Sequence, residues 1–240
     1  MISKNELKYI QSLYHKKVRN EEAVFIAEGV KLVNELLQHN FPIRKIYATK
    51  DWVAPKEFVN TQIVEDFELE KMSNLSTPNF VLAVAEQKKL QHEPDTNNGL
   101  ILVLDGIQDP GNLGTIIRIA DWFGITQIVA SDDTADMYNS KVVQSTMGSI
   151  IRINVWYKNI QEWLSNVTVP IYGALLNGKS IYETKPVKNG VLIIGNESKG
   201  IRENILPLVK NAITIPGNGN AESLNAAVAT GIILSHLVKE

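Results

Sequence analysis

The chain contains no cysteine. That excludes disulfides, thiolate metal sites and thiol nucleophiles together. Histidine is scarce: His15, His39, His92 and His236 stand far apart without ligand-like spacing, so metal catalysis has no support. Long apolar runs are missing too, since the longest, near 191–195 and 226–234, fall short of a membrane span. The opening MISKNELKYI lacks the continuous apolar core of a signal peptide, and the expectation is a cytoplasmic protein without a membrane partner. Charge of one sign is also lacking: the net value is −2 over 240 residues, which does not by itself announce a nucleic-acid binder.

Hydrophobic residues make up 44% of the chain, enough for one good core with room for a small second domain. The balanced charge hides an asymmetry. Lys4, Lys8, Lys16, Lys17 and Arg19 face only Glu6 within residues 1–19, and Arg44, Lys45 and Lys50 form a second basic cluster. Such runs are usually solvated helix faces; attraction to phosphates is the sharper alternative.

The polar stretch QKKLQHEPDTNN, residues 87–98, separates two strand-like runs and marks a domain boundary. Before it, a helix near 28–39 and strands near 44–49 and 80–86 suggest a small α/β unit. After it, apolar β-rich runs at 100–104, 127–130, 151–155, 170–175, 191–194 and 212–215 alternate with helical patterns near 112–123, 139–147, 159–165, 201–209 and 222–238. That alternation predicts an α/β domain whose parallel sheet is covered on both faces.

Three of these strands run into loops rich in glycine and polar side chains: LVLD into GIQDPGNLGT, VLIIG into NESKGI, and ITIP into GNGNAESLN. All three lie past the carboxyl end of a strand, where open α/β sheets bind ligands. The usual nucleotide motifs fail. GNGNAE has Glu222 where a third glycine belongs, and GNESKGI places its lysine before the glycine, so a generic nucleotide-binding oxidoreductase and an NTPase are both disfavoured.

The three blocks DGIQDPGNLGTIIRIADWFGI, IIGNESKGI and IPGNGNAESLNAAVA, in this order, resemble the SpoU family of RNA ribose 2′-O-methyltransferases within the SPOUT superfamily. SKVVQSTMGSIIRINV looks like the family's segment between the first and second blocks, and KKVRNEEAVFIAEGVKLVNELL is similar to the RNA-binding domain that precedes the catalytic domain in many members. The resemblance implies an RNA substrate-binding domain over residues 1–90 and a catalytic domain over 99–240 with a carboxy-terminal trefoil knot. It further implies S-adenosylmethionine as cofactor, RNA as partner and a homodimer. Ribosomal RNA is favoured over transfer RNA, and a catalytically silent RNA-binding or ribosome-assembly module is the alternative. The family usually has methionine where Gly217 stands and Val-Ser at Ala226 and Ala227.

Helical spacing puts Leu113, Ile116, Ile117, Ala120 and Phe123 on one face, with Arg118 off that stripe above Gly114, where the missing side chain would leave a gap. An i, i+3 pair of Arg118 with Asp121 is the plain alternative. The resemblance makes Arg118 the residue that activates the 2′-hydroxyl. A guanidinium is a poor base at neutral pH, so a grip on the adjacent phosphate stays open. Asn112 is a natural N-cap and by resemblance also belongs to the active site, as do Glu197, Ser223 and Asn225. Glu222, Ser223 and Asn225 are expected in the first turn of a largely buried last helix. For the cofactor the resemblance implies Leu175, Gly195, Asn196, Gly200, Ile215, Pro216 and Leu224, with Gly195 expected where backbone approaches a ligand and Gly200 in a turn.

Overall fold

The computed structural model describes residues 1–238. In chain order the elements are α1 (Lys4–Ser12), α2 (Lys16–Glu22), β1 (Val24–Glu28), α3 (Val30–Gln38), β2 (Ile43–Ala48), β3 (Thr61–Ile63), α4 (Asp66–Met72) and β4 (Val81–Glu86). They continue with β5 (Leu100–Asp105), α5 (Pro110–Trp122), β6 (Gln127–Ala130), α6 (Ser140–Ser145), β7 (Asn154–Tyr157), α7 (Ile160–Ser165), β8 (Ile171–Ser180), β9 (Gly190–Gly195), β10 (Asn211–Thr214) and α8 (Ala226–Leu237). Two compact units result. One comprises 1–89 and 136–151; the other comprises 90–135 and 152 onward. The last two positions of the expected second domain lie outside the described residues.

The first unit has a four-stranded sheet in the order β1-β4-β2-β3, antiparallel except for the β2/β3 pair. Alternation along β1 sends Val24 and Ile26 into a core with Ile10, Leu13, Leu69 and Met72. The segment 136–151 belongs here although its sequence lies between two strands of the other unit's sheet. α6 packs on β1, and the rings of Phe25 and Tyr138 lie 5.0 Å apart. Arg19, 3% exposed, donates to Asp136 at 2.6 Å and to the carbonyls of Leu13 and Tyr14.

The second unit is a six-stranded sheet, β10-β8-β9-β5-β6-β7, parallel throughout, as its contiguous apolar strands lead one to expect. Ile101, Val103, Val191 and Ile193 face α7 through Ile160 and Leu164. α5 and α8 pack together, and Gly231 of α8 sits where a Cβ would lie 3.6 Å from Ile119. Between β8 and β10 the register jumps: Ala212 pairs with Gly173 but Ile213 with Lys179. A side chain on Gly178 would fall 2.7 Å from the backbone carbon of Ala212, so only glycine permits this crossing.

Three expectations need correction. Of the helix foreseen at 201–209 only a 3-10 turn at Leu206–Leu208 forms, because Pro207 lacks the N–H that an α-helix needs there. The last helix starts at Ala226, not 222, with Asn225 as its cap, so Glu222 and Ser223 lie in the preceding loop. The first helix of this unit begins at Pro110 with Asp109 as its cap, displacing Asn112 from that role.

Candidate active site

β5 and β9 are neighbours, with Asp105 paired to Gly195, so the loops that follow them leave the sheet side by side. The loop after β5 turns directly into α5. Asp109 accepts from the backbone N–H of Asn112 at 2.8 Å, and that leaves the Asn112 side chain free for other partners. Its Nδ2 donates to Oε1 of Glu197 at 2.6 Å, and its Oδ1 accepts from Nδ2 of Asn225 at 2.9 Å. Asn225 in turn accepts from the N–H groups of Ala227 and Val228 at 3.0 and 3.2 Å, capping α8. One residue from each of the three polar loops is thus joined in a single chain of hydrogen bonds. The amides, fixed at both ends, are preorganised.

Arg118 is not in that chain of bonds. Six residues beyond Asn112, it lies about 9 Å further along the helix axis and is exposed. Gly114 is buried. The pairing with Asp121 loses support. Both oxygens of Asp121 accept from Nε of Arg152 at 2.9 Å, and among the described residues no ion pair includes Arg118. Ser223, like Glu222, is exposed in the loop before α8 and is not joined to the Asn112 cluster.

The expected cofactor residues divide in two. A Cβ on Gly195 would fall 2.3 Å from the carbonyl carbon of Gly200, so the close approach here is of the loop to itself. Asn196 N donates to Gly200 O at 3.0 Å and Gly200 N to Asn196 O at 2.9 Å, with Gly200 at φ +67°. The Asn196 side chain donates to Gly106 O at 2.7 Å and accepts from the N–H groups of Ser198 and Lys199. Gly195, Asn196 and Gly200 therefore shape the loop. Leu175 and Ile215 are half-buried, whereas Pro216 and Leu224 are exposed. A Cβ on Gly217 would meet nothing within 4 Å, so crowding does not explain glycine in place of the family's methionine.

A group that sequence reasoning missed sits beside these loops. Asp105, fully buried at the end of β5, accepts from Arg202 N at 2.8 Å and pairs with Arg202 Nε at 2.7 Å. Burial pushes its carboxyl above the usual range, against the pull of the Arg202 N–H and charge. Arg202 also reaches Asp133 at 2.5 Å. Burial would raise Asp133, but the Ser131 hydroxyl and Arg202 hold it below the ordinary value. A carboxylate ending an apolar strand at the ligand edge was the available signal. Arg202 also lines a cavity of about 470 Å³ with Asp133, Lys158, Asn159 and Asn204, which none of the expected site residues touches.

The parallel sheet, with three polar loops tied together at its carboxyl edge, places the chain among the α/β folds that bind ligands at that edge. Residues 99–235 match the SpoU rRNA Methylase family, and residues 4–83 match the MRM3-like substrate binding domain. The chain belongs to the SpoU rRNA methylase family. It is 32% identical to the Bacillus subtilis (strain 168) 23S rRNA (guanosine(2553)-2′-O)-methyltransferase RlmP, over 95% of this chain and 93% of that one. It resembles the structure of a TrmH-family protein from Porphyromonas gingivalis at TM-score 0.86 and 35% identity, covering 99% and 98% of the two chains. It also resembles the AdoMet-bound rRNA methyltransferase from Sinorhizobium meliloti, at TM-score 0.84 and 28% identity, with 99% and 96% covered.

Proposed function

We propose that this chain methylates the 2′-hydroxyl of a ribose in ribosomal RNA, of the 23S type rather than transfer RNA, using S-adenosylmethionine. The observation that carries the reading is the Asn225, Asn112 and Glu197 chain of bonds, which unites the three family blocks at one edge. A catalytically silent module would have no need to keep all three side chains in register. The names of the relatives point the same way.

The residues fit the cofactor. Leu175, Ile215 and Leu224 offer apolar surface, and the open backbone at Gly217 and Gly219 permits close approach. No cationic side chain occurs in the loop from Ile215 to Leu224, as suits a ligand without phosphate. When bound, S-adenosylmethionine supplies an electrophilic methyl group. The chain must orient the ribose, exclude water and receive the hydroxyl proton. Asn112 and Asn225 carry no titratable group, so Glu197, held by Asn112, accepts the hydrogen bond and the proton of the 2′-hydroxyl. Arg118, too weak a base, grips the neighbouring phosphate. Ser223, exposed on the loop between β10 and α8, is assigned to contact the substrate rather than to the Asn112 cluster.

The reading assigns RNA recognition to residues 1–90 and catalysis to 99–240, a division supported by the spans of the two family matches. It includes the trefoil knot that membership of the family implies. It also includes a homodimer, supported by exposed Trp122 on α5 and Val228 on α8. Action on ribosomal RNA supports a cytoplasmic location. The test is to incubate the purified protein with labelled S-adenosylmethionine and unmodified 23S rRNA or transfer RNA transcripts, map the 2′-O-methyl site, and weigh the particle by light scattering. No transfer to 23S rRNA would sink the functional reading, and a monomer mass would remove the dimer from it.

A further inference from the structure

The loop before β4, SNLSTPNF at residues 73–80, is tied down at both ends. At its root the buried Glu28 accepts from the hydroxyls of Ser73 and Tyr14 and from the N–H of Asn74. At its end Val81 N donates to Asn79 O at 2.6 Å across Phe80, whose φ is +54°, a three-residue turn of the rare, strained hand. Phe80 O accepts from Thr49 N at 2.9 Å and Val81 O from Gly29 N at 2.9 Å, so neighbouring strands hold this backbone in place. Glycine or asparagine would adopt that conformation at lower cost. A phenylalanine stands there instead, and the residue is 46% exposed.

Strain of this kind calls for a use of the side chain. Nothing from residue 73 to 80 is charged, while Asn74, Ser76, Thr77 and Asn79 present amides and hydroxyls to solvent. An exposed ring beside neutral donors and acceptors is suited to unpaired bases, which stack on aromatics and are read along their edges. It is poorly suited to duplex phosphates, which call for cations. We propose that Phe80 is a stacking platform for an unpaired base of the RNA substrate, with the polar side chains of residues 74–79 contacting the edges of that base or its neighbour. The proposal rests on the reading that this chain acts on RNA.

The test compares the full chain with Phe80→Gly and Phe80→Trp for affinity toward an unmodified 23S rRNA transcript, for methyl transfer to it, and for S-adenosylmethionine binding. Phe80→Gly relieves the backbone, which offsets the packing lost from the covered part of the ring, and an unfolding transition near the wild-type temperature confirms that it is folded. It should bind RNA about tenfold more weakly, the effect of losing one base–aromatic stack, with cofactor affinity unchanged. Phe80→Trp should retain binding. If the wild type binds and methylates the transcript and Phe80→Gly matches it, the platform is refuted while the functional reading stands. Equal loss in Phe80→Trp would also refute stacking. A Phe80→Gly defect seen only on assembled ribosomal particles would assign the loop to a protein partner instead. If the wild type transfers nothing to the transcript, the functional reading falls, and the platform with it.

Discussion

Nδ2 of Asn225 donates to Oδ1 of Asn112 at 2.9 Å, across 113 residues of sequence. Because that bond consumes the Asn112 oxygen, its nitrogen must face Glu197, and the carboxylate receives a donor at 2.6 Å. The cap of α8 thereby sets the orientation of a side chain on α5. Asn225 serves α8 and the site at once.

Replacing Asn112 with Asp keeps the shape but puts a second carboxylate against Glu197. Two carboxylates sharing a site raise one of their pKa values. At neutral pH methyl transfer should fall by about a hundredfold, the scale of losing one positioned donor. Below the raised pKa a shared proton restores the hydrogen bond, so the ratio of variant to wild-type rate should climb as pH is lowered. A ratio flat across pH would show that the Asn112 to Glu197 bond is dispensable.

Arg118 has no ion-pair partner among the described residues, so its loss should leave the fold intact. Arg118→Ala is expected to cut transfer by about a hundredfold or more, as misplacement of a reacting group does, while cofactor affinity stays put. Arg118→Lys keeps a charge but not the bidentate fork and should recover only part of the rate. Turnover near wild type in Arg118→Ala would remove the residue from the mechanism.

The parallel sheet was legible because strands buried on both faces read as unbroken apolar runs, LILVLD and VLIIG among them. The first unit was read less fully. β1, VFIAE, is buried at every position yet only five residues long, and α4 is seven residues capped by Glu65 and Glu68 rather than by Ser or Thr. Such short elements carry too little periodicity to stand out. At the site, the family resemblance named Asn112, Glu197 and Asn225, but which carbonyl met which amide depended on where Asp109 and Asn225 began their helices. The register jump at Ala212 has no signal in residue pattern, because it arises from the pairing of two strands distant in sequence.

A stability prediction follows from Arg19. Its side chain is 4% exposed and that of Asp136 12%. Arg19→Ala leaves a buried carboxylate and two backbone carbonyls without their donor, which should cost about 3–5 kcal/mol in denaturant unfolding. The same geometry predicts that residues 99–240 do not fold well alone. Severed from residues 1–89, the segment 136–151 loses the partners that cover Val142 and Val143. The fragment should aggregate or melt well below the full chain; a cooperative transition at the full-length temperature would contradict this.

Burial of Arg19 also revises the electrostatics of the amino-terminal segment. Five cations were counted in residues 1–19, yet Arg19 spends its charge on Asp136 inside the fold. Lys4, Lys8, Lys16 and Lys17 are exposed, and the Lys17–Glu21 pair at 3.9 Å is too solvated to withhold its charge. If these four lysines meet phosphates, each contact releases counterions and adds roughly 0.7–0.9 to the slope of log affinity against log salt. Converting all four to alanine should therefore lower that slope by about 3, taking four contacts at that value. Affinity at low salt should drop while cofactor binding is untouched. Arg19→Gln, measured where the variant remains folded, should leave the slope unchanged because that guanidinium never faces the RNA. An unaltered slope in the quadruple variant would mean that the lysines are only a solvated face, and that the chain holds its RNA through other residues.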